Sequence, residues 1–119
     1  MQVLKCTKRL LDPKWVDAEV ARISEIFLKL SPQAVFLFGS ASEGRMSDQS
    51  DFDFLILFKS GEEIRNAQKS LRPFYPLSDT PVDILWLTQD EFDSKKDVGG
   101  VCFIVAREGR CLLRRGVDD

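Results

Sequence analysis

Three aspartates and one Gly-Ser pair carry the chemistry this chain can perform. Asp51 and Asp53 flank Phe52 at the start of an apolar run that continues to Phe58. Residues two apart in a strand share a face, with backbones about 6.5 Å apart at the usual rise. Both carboxylates then face one side, and Phe52 and Phe54 the other. Like charges so placed are either solvated at the sheet edge or bridged by a cation. Asp83 lies in Pro81-Val-Asp-Ile-Leu-Trp-Leu87, an otherwise apolar strand where burying an unpaired carboxylate is costly. Taken alone, Asp83 reads as a strand-terminal residue capped by backbone N–H groups. Laid beside the Asp51/Asp53 strand, it completes a set of three hard oxygen donors. Such a set suits Mg²⁺, which keeps waters and takes substrate phosphates as its other ligands. Phe38-Gly39-Ser40 is read as the turn that ends a preceding strand. Gly39 lets backbone approach a ligand, and Ser40 offers a hydroxyl and a helix start whose N–H groups favour phosphate. A Gly-Ser after a strand is by itself only a turn; its place before the Asp pair is what suggests an anion cradle.

These residues need a scaffold, and helix and strand signals alternate along the chain. Residues 13–30 read as a helix: Asp12 caps it, Pro13 fits its first position, and Val16, Val20, Ile23, Ile26, Phe27 and Leu30 form one apolar face. Ser31-Pro32 stops it. Residues 34–38 and 52–58 are short apolar runs read as buried strands, with residues 39–50 as loop or a short helix start. A helix is expected over residues 61–71, closed by Pro73, and a third strand over 82–87. Thr88-x-x-Glu91 is a capping box opening a short helix. Residues 99–108 are ambiguous; the helical reading is preferred, with Gly109 as its stop and residues 110–114 as a last strand. The fold class is therefore α/β, a small mixed sheet flanked by helices, in one domain spanning residues 1–119. Trp15 and Trp86 read as core rather than base-stacking platforms. Lys95-Lys96 reads as solvated surface, and so does the basic group Arg107, Arg110, Arg114 and Arg115.

Gly39-Ser40, ten residues, then Asp51-Phe52-Asp53 resembles the signature of the polymerase-beta-like nucleotidyltransferase superfamily. The Leu37-Phe38 lead-in, Gly44, Ser50 and the later Arg107-Glu108-Gly109 resemble its smallest branch, the minimal nucleotidyltransferases. The likeness extends over roughly residues 16–113. It implies transfer of a nucleoside monophosphate from a triphosphate, ATP above all, to an acceptor hydroxyl. By that resemblance Asp51 and Asp53 hold two Mg²⁺ ions (or Mn²⁺), and Asp83 holds the one that activates the acceptor and can serve as general base. Gly39 and Ser40 hold the β- and γ-phosphates. The branch often carries Gly-Ser-x-Ala-x-Gly with Arg before the second Gly; here Ser42 and Glu43 depart from it. An acid near a triphosphate weakens nucleotide affinity rather than metal binding. Arg45 is the nearest substitute cation.

Composition narrows the rest. The chain has 119 residues, 44% hydrophobic and 30% charged, with net charge −2 and pI about 5.2. That size buries a core without staples, and that charge gives no sign of a nucleic-acid track. Histidine is absent, which removes His-based triads, His general bases and His-ligated zinc. Cys6, Cys102 and Cys111 are odd in number and lack CxxC spacing, so they read as free thiols. No run approaches a membrane span, and residues 1–11 lack the apolar core of a signal peptide; cytoplasm is the expected location. Minimal members of the branch commonly pair with a helical HEPN protein as the antitoxin of a toxin–antitoxin module, and some transfer AMP to it. The resemblance thus implies a HEPN-type partner. Alternatives are an enzyme for a small hydroxylated acceptor such as an aminoglycoside, completed by homo-oligomerisation, and a silent antitoxin acting by contact alone.

Overall fold

The computed structural model describes residues 9–115, so the readings on Cys6 and the chain start lie outside the described residues. Asp12 accepts the Lys14 N–H at 3.0 Å and Pro13 opens α1, Pro13–Leu28. This helix is shorter than its apolar periodicity suggested. Its end tightens into a turn in which Leu30 N–H donates to Phe27 and Ser31 N–H to Leu28. Ser31 then takes a positive φ of 57° before Pro32. β1, Ala34–Phe38, leads into a 3₁₀ turn at Gly39–Ala41 and a loop. β2 follows as Phe52–Phe58, then α2, Gly61–Leu71, and a second 3₁₀ turn at Arg72–Phe74. β3 is Val82–Thr88, α3 Gln89–Lys95, α4 Gly100–Glu108 and β4 Arg110–Arg114. Both bonds of the Thr88/Glu91 capping box form, with Glu91 N–H to Thr88 Oγ1 at 3.1 Å and Thr88 N–H to Glu91 Oε1 at 2.9 Å.

The sheet is mixed, in the order β3-β2-β1-β4. β1 is antiparallel to β2 and β4, whereas β2 and β3 run parallel. Helices cover both faces. On one, Val16, Val20, Ile23 and Phe27 of α1 and Ala67 and Leu71 of α2 bury Leu37, Phe54, Ile56 and Phe58. Phe27 meets Phe54 edge-on at 5.0 Å. On the other, Phe92 of α3 and Cys102 and Val105 of α4 close over Ala34, Phe36, Leu55 and Leu57. Period-two alternation along β2 assigns these sets to opposite faces, so one strand feeds two cores. Each large side chain buried in this way contributes about 1.5–3 kcal/mol before chain entropy is counted.

The tryptophans divide. Trp86 is half-buried and stacks on Phe58 at 6.0 Å, whereas Trp15 is 37% exposed and leans on Phe52 at 6.2 Å. Its core assignment is corrected: position 15 falls at the flank of the α1 stripe set by Val16 and Val20. Cys102 is buried and Cys111 exposed, both free thiols. No described helix is long and apolar enough to cross a membrane.

Candidate active site

The register of β2 and β3 sets Asp53 directly beside Asp83, and that of β1 and β2 sets Phe38 on the other side of Asp53. Registered neighbours point to the same face, here the one covered by α3 and α4. The two aspartates sit at the end of that face, where the helices leave a cleft of about 230 Å³. Phe38, Phe54, Ile84, Leu85 and Val101 line it with Asp53 and Asp83. Asp51 precedes β2, is exposed, and does not line the cleft. Its charge nevertheless reaches Asp53. The Asp53 carboxyl is held above the ordinary carboxylate range by burial first, then by the charges of Asp51 and Asp83.

Two expectations need correction. Asp83 is exposed, so no burial penalty forces it to find a cation. Its strand is a sheet edge, and residue 83 lies at the open end of it. Secondly, among the described residues no three acidic or cysteine side chains are gathered into a ready-made metal cage. The three aspartates form a registered pair with Asp51 alongside, not a closed triad.

Gly39 shows why this sequence needs glycine beside the pair. It takes a φ of +75°, and a Cβ there would overlap Asp53 Oδ2 and lie 3.3 Å from its Cγ. The turn thus presses bare backbone against the carboxylate. The expected helix start after Gly39 is one 3₁₀ turn: Ser42 N–H and Oγ both bond Gly39 O, at 3.1 and 2.9 Å, and Arg45 N–H bonds Ser40 O at 2.9 Å. Ser40 is half-buried at its centre. Arg45, the substitute cation, is paired instead with the Glu43 carboxylate, both exposed.

The loop between Gly39 and Asp51 is held from outside. Leu11 N–H donates to Met46 O, Asp48 N–H to Arg9 O, and Arg9 N–H to Asp48 Oδ1. Buried Ser47 ties the turn to Ser50, its N–H donating to Ser50 Oγ at 3.0 Å. The start of β3 is tethered to α1: Ser78 Oγ donates to Glu19 at 2.6 Å, and Arg22 bridges Glu19 and Leu77 O. Those bonds hold the Glu19 carboxyl below its ordinary range, Arg22 first.

Sequence reasoning found the acids and the turn but missed Phe38, Leu85 and Val101 as cleft walls. Phe38 was legible as the last residue of its strand; Val101 depended on how α4 docks. A larger recess, about 370 Å³, lies among Leu11, Val16, Asp17, Ala41, Glu43, Met46 and Arg110 and contains none of the three aspartates. The convergence of acids and turn makes the smaller cleft the candidate site. Its donors are hard carboxylate oxygens, and a pair of them is the protein share Mg²⁺ commonly takes.

No curated protein sequence matches the chain. A crystal structure of a provisionally assigned nucleotidyltransferase from Sulfolobus solfataricus is similar at 20% identity and TM-score 0.48, covering 84% of this chain and 86% of that one. At that level the likeness carries no argument about the site. The nucleotidyltransferase domain profile matches residues 20–109, which span β1, the Gly39-Ser40 turn, all three aspartates and α4. With most of the chain and the whole candidate site inside that match, this chain belongs to the nucleotidyltransferase domain family.

Proposed function

We propose that this domain transfers AMP from Mg²⁺-bound ATP to a hydroxyl on a separate acceptor protein, a helical HEPN-type partner for which it acts as antitoxin. The observation that carries the reading is the registered pair Asp53 and Asp83 with Gly39 backbone packed against Asp53. Asp51, Asp53 and Asp83 would hold the metal ions, whose bound charge neutralises the triphosphate and the departing pyrophosphate. The chain's own residues do the rest. The Gly39-Ser40 turn brings N–H groups and a hydroxyl to the outer phosphates. The acceptor oxygen bonds to the α-phosphorus, the bond to the β-phosphate oxygen breaks, and pyrophosphate leaves. Asp83, exposed at the cleft mouth, takes the hydroxyl proton. Phe38, Leu85 and Val101 exclude water from one side of the cleft, which strengthens each charge interaction within it.

The assay is intact-mass spectrometry of the co-expressed pair. An AMP-sized increase on the partner, lost in Asp51→Asn/Asp53→Asn, is the expected result, because neutral amides hold Mg²⁺ poorly. A tight complex without added mass would replace this reading with inhibition by contact. Nucleotidylation of a small hydroxylated molecule, with no complex, would replace it with a small-acceptor enzyme.

A further inference from the structure

The two edges of the sheet are unlike each other. β4 carries devices that natural edges use against pairing: Arg110 and Arg114 at its ends, and a register break opposite Val35 and Phe36. β3 lacks both the basic ends and the register break. It pairs with β2 without a bulge from Val82 to Thr88, contains no Pro, Lys or Arg, and has Asp83 as its one charge. Phe52 N–H donates to Pro81 O, so strand alternation turns the N–H and C=O of Val82, Ile84 and Trp86 away from β2. Among the described residues nothing bonds to those outward groups. Val82, Ile84, Leu85, Trp86 and Leu87 are all only half-buried, whereas every apolar residue of β2 is buried.

We infer that β3 pairs antiparallel with β3 of a second copy of this chain across a two-fold axis at Leu85. An unprotected apolar edge selects an extended strand as its occupant, because only a strand satisfies the row of outward groups. The charge pattern of β3 suits a copy of itself. Its one acid is off-centre, so about a Leu85 axis Asp83 faces the partner subunit's Leu87 and meets no like charge. The two Asp83 carboxylates are then four residues apart along the strands, roughly 13 Å. Ile84 lies opposite the partner's Trp86, and these pairs exchange N–H···O bonds in both directions. The two-fold repeats each contact, giving a closed dimer with no remaining β3 edge. The inference rests on sheet topology and is independent of the nucleotide chemistry.

Light scattering and amide exchange test it. The chain of 13.6 kDa should elute with twice that mass. Ile84→Pro removes one outward N–H, a change that sheet edges tolerate, and should give the monomer mass with an unchanged far-ultraviolet spectrum. Exchange on the unmodified chain needs no variant. Diluted about a hundredfold, Ile84 and Trp86 amides should lose up to about tenfold of their protection, since monomer fraction rises as the square root of dilution, while the inward Leu85 amide keeps its own. A monomer mass at high concentration, a folded Ile84→Pro dimer, or concentration-independent exchange at Ile84 and Trp86 would each overturn the inference.

Discussion

Asp53→Asn should stabilise the metal-free protein while removing its metal response. Burial and two neighbouring acids raise the Asp53 carboxyl in the folded state, while the unfolded chain leaves it at its ordinary value. A raised folded value means that its stability contribution is complete below the ordinary carboxylate range and is lost as pH rises through the folded value. At neutral pH the ionised Asp53 therefore weakens the fold. Adjacent strands lie about 4.8 Å apart, so the Asp53 and Asp83 carboxylates interact across roughly 5–6 Å. Coulomb's law gives about 3 kcal/mol at an effective dielectric of about 20 and under about 1 kcal/mol in water. Asp83 and Asp51 are both exposed, which moves the figure toward the lower bound. Removing the charge should then contribute about 1 kcal/mol, or about 4 °C in Tm for a domain of this size. Thermal melts in EDTA should show the variant ahead at neutral pH and the gap closing as pH falls through the raised value. Added Mg²⁺ should reverse the order by stabilising only the unmodified protein. A variant less stable than the parent in EDTA at neutral pH, or a gap that does not change with pH, would refute the electrostatic account.

Gly39→Ala should reduce metal-dependent ATP binding at least about tenfold and cost about 1–2 kcal/mol, since it adds a Cβ at positive φ against the Asp53 carboxylate; titration calorimetry and melts read both. Glu43→Gln should tighten ATP about threefold by removing a negative charge and freeing Arg45, the estimate being one screened charge at about 10 Å; no change in affinity would place Glu43 outside the nucleotide's field. Glu19→Gln should destabilise by about 1 kcal/mol or less through its bonds to Arg22 and Ser78. Glu19 has a lowered carboxyl, so the loss should be full above the ordinary carboxylate range and fade as pH falls through the folded value. Thr88→Ala should cost about 1 kcal/mol by opening the capping box of α3, measurable by denaturant unfolding.

Local patterns in the sequence specified most of the elements. The apolar stripe of α1, the pure apolar runs of β1 and β2, and the Thr88/Glu91 box each encode their structure within a few residues, and the structure follows them. Gly109 closed α4 as read, because its N–H turns back to Val105 and a Cβ there would strike that carbonyl. The acids and the Gly-Ser turn were legible for the same reason: their types and spacing are local facts. What lay beyond the sequence was everything set by which strands adjoin. Nothing near Asp53 states that β3 lies beside β2 in parallel register, yet that choice sets Asp53 beside Asp83. Nothing near Asp83 states that its strand is an edge, so burial was expected where exposure is found. Nor could spacing decide that Arg45 turns to Glu43, or that Val101 walls the cleft. Pairing and docking are contests between distant segments for the same apolar surface and hydrogen bonds. Their outcome depends on the whole chain, whereas the residue types of the candidate site and their spacing are fixed by their own neighbours in sequence.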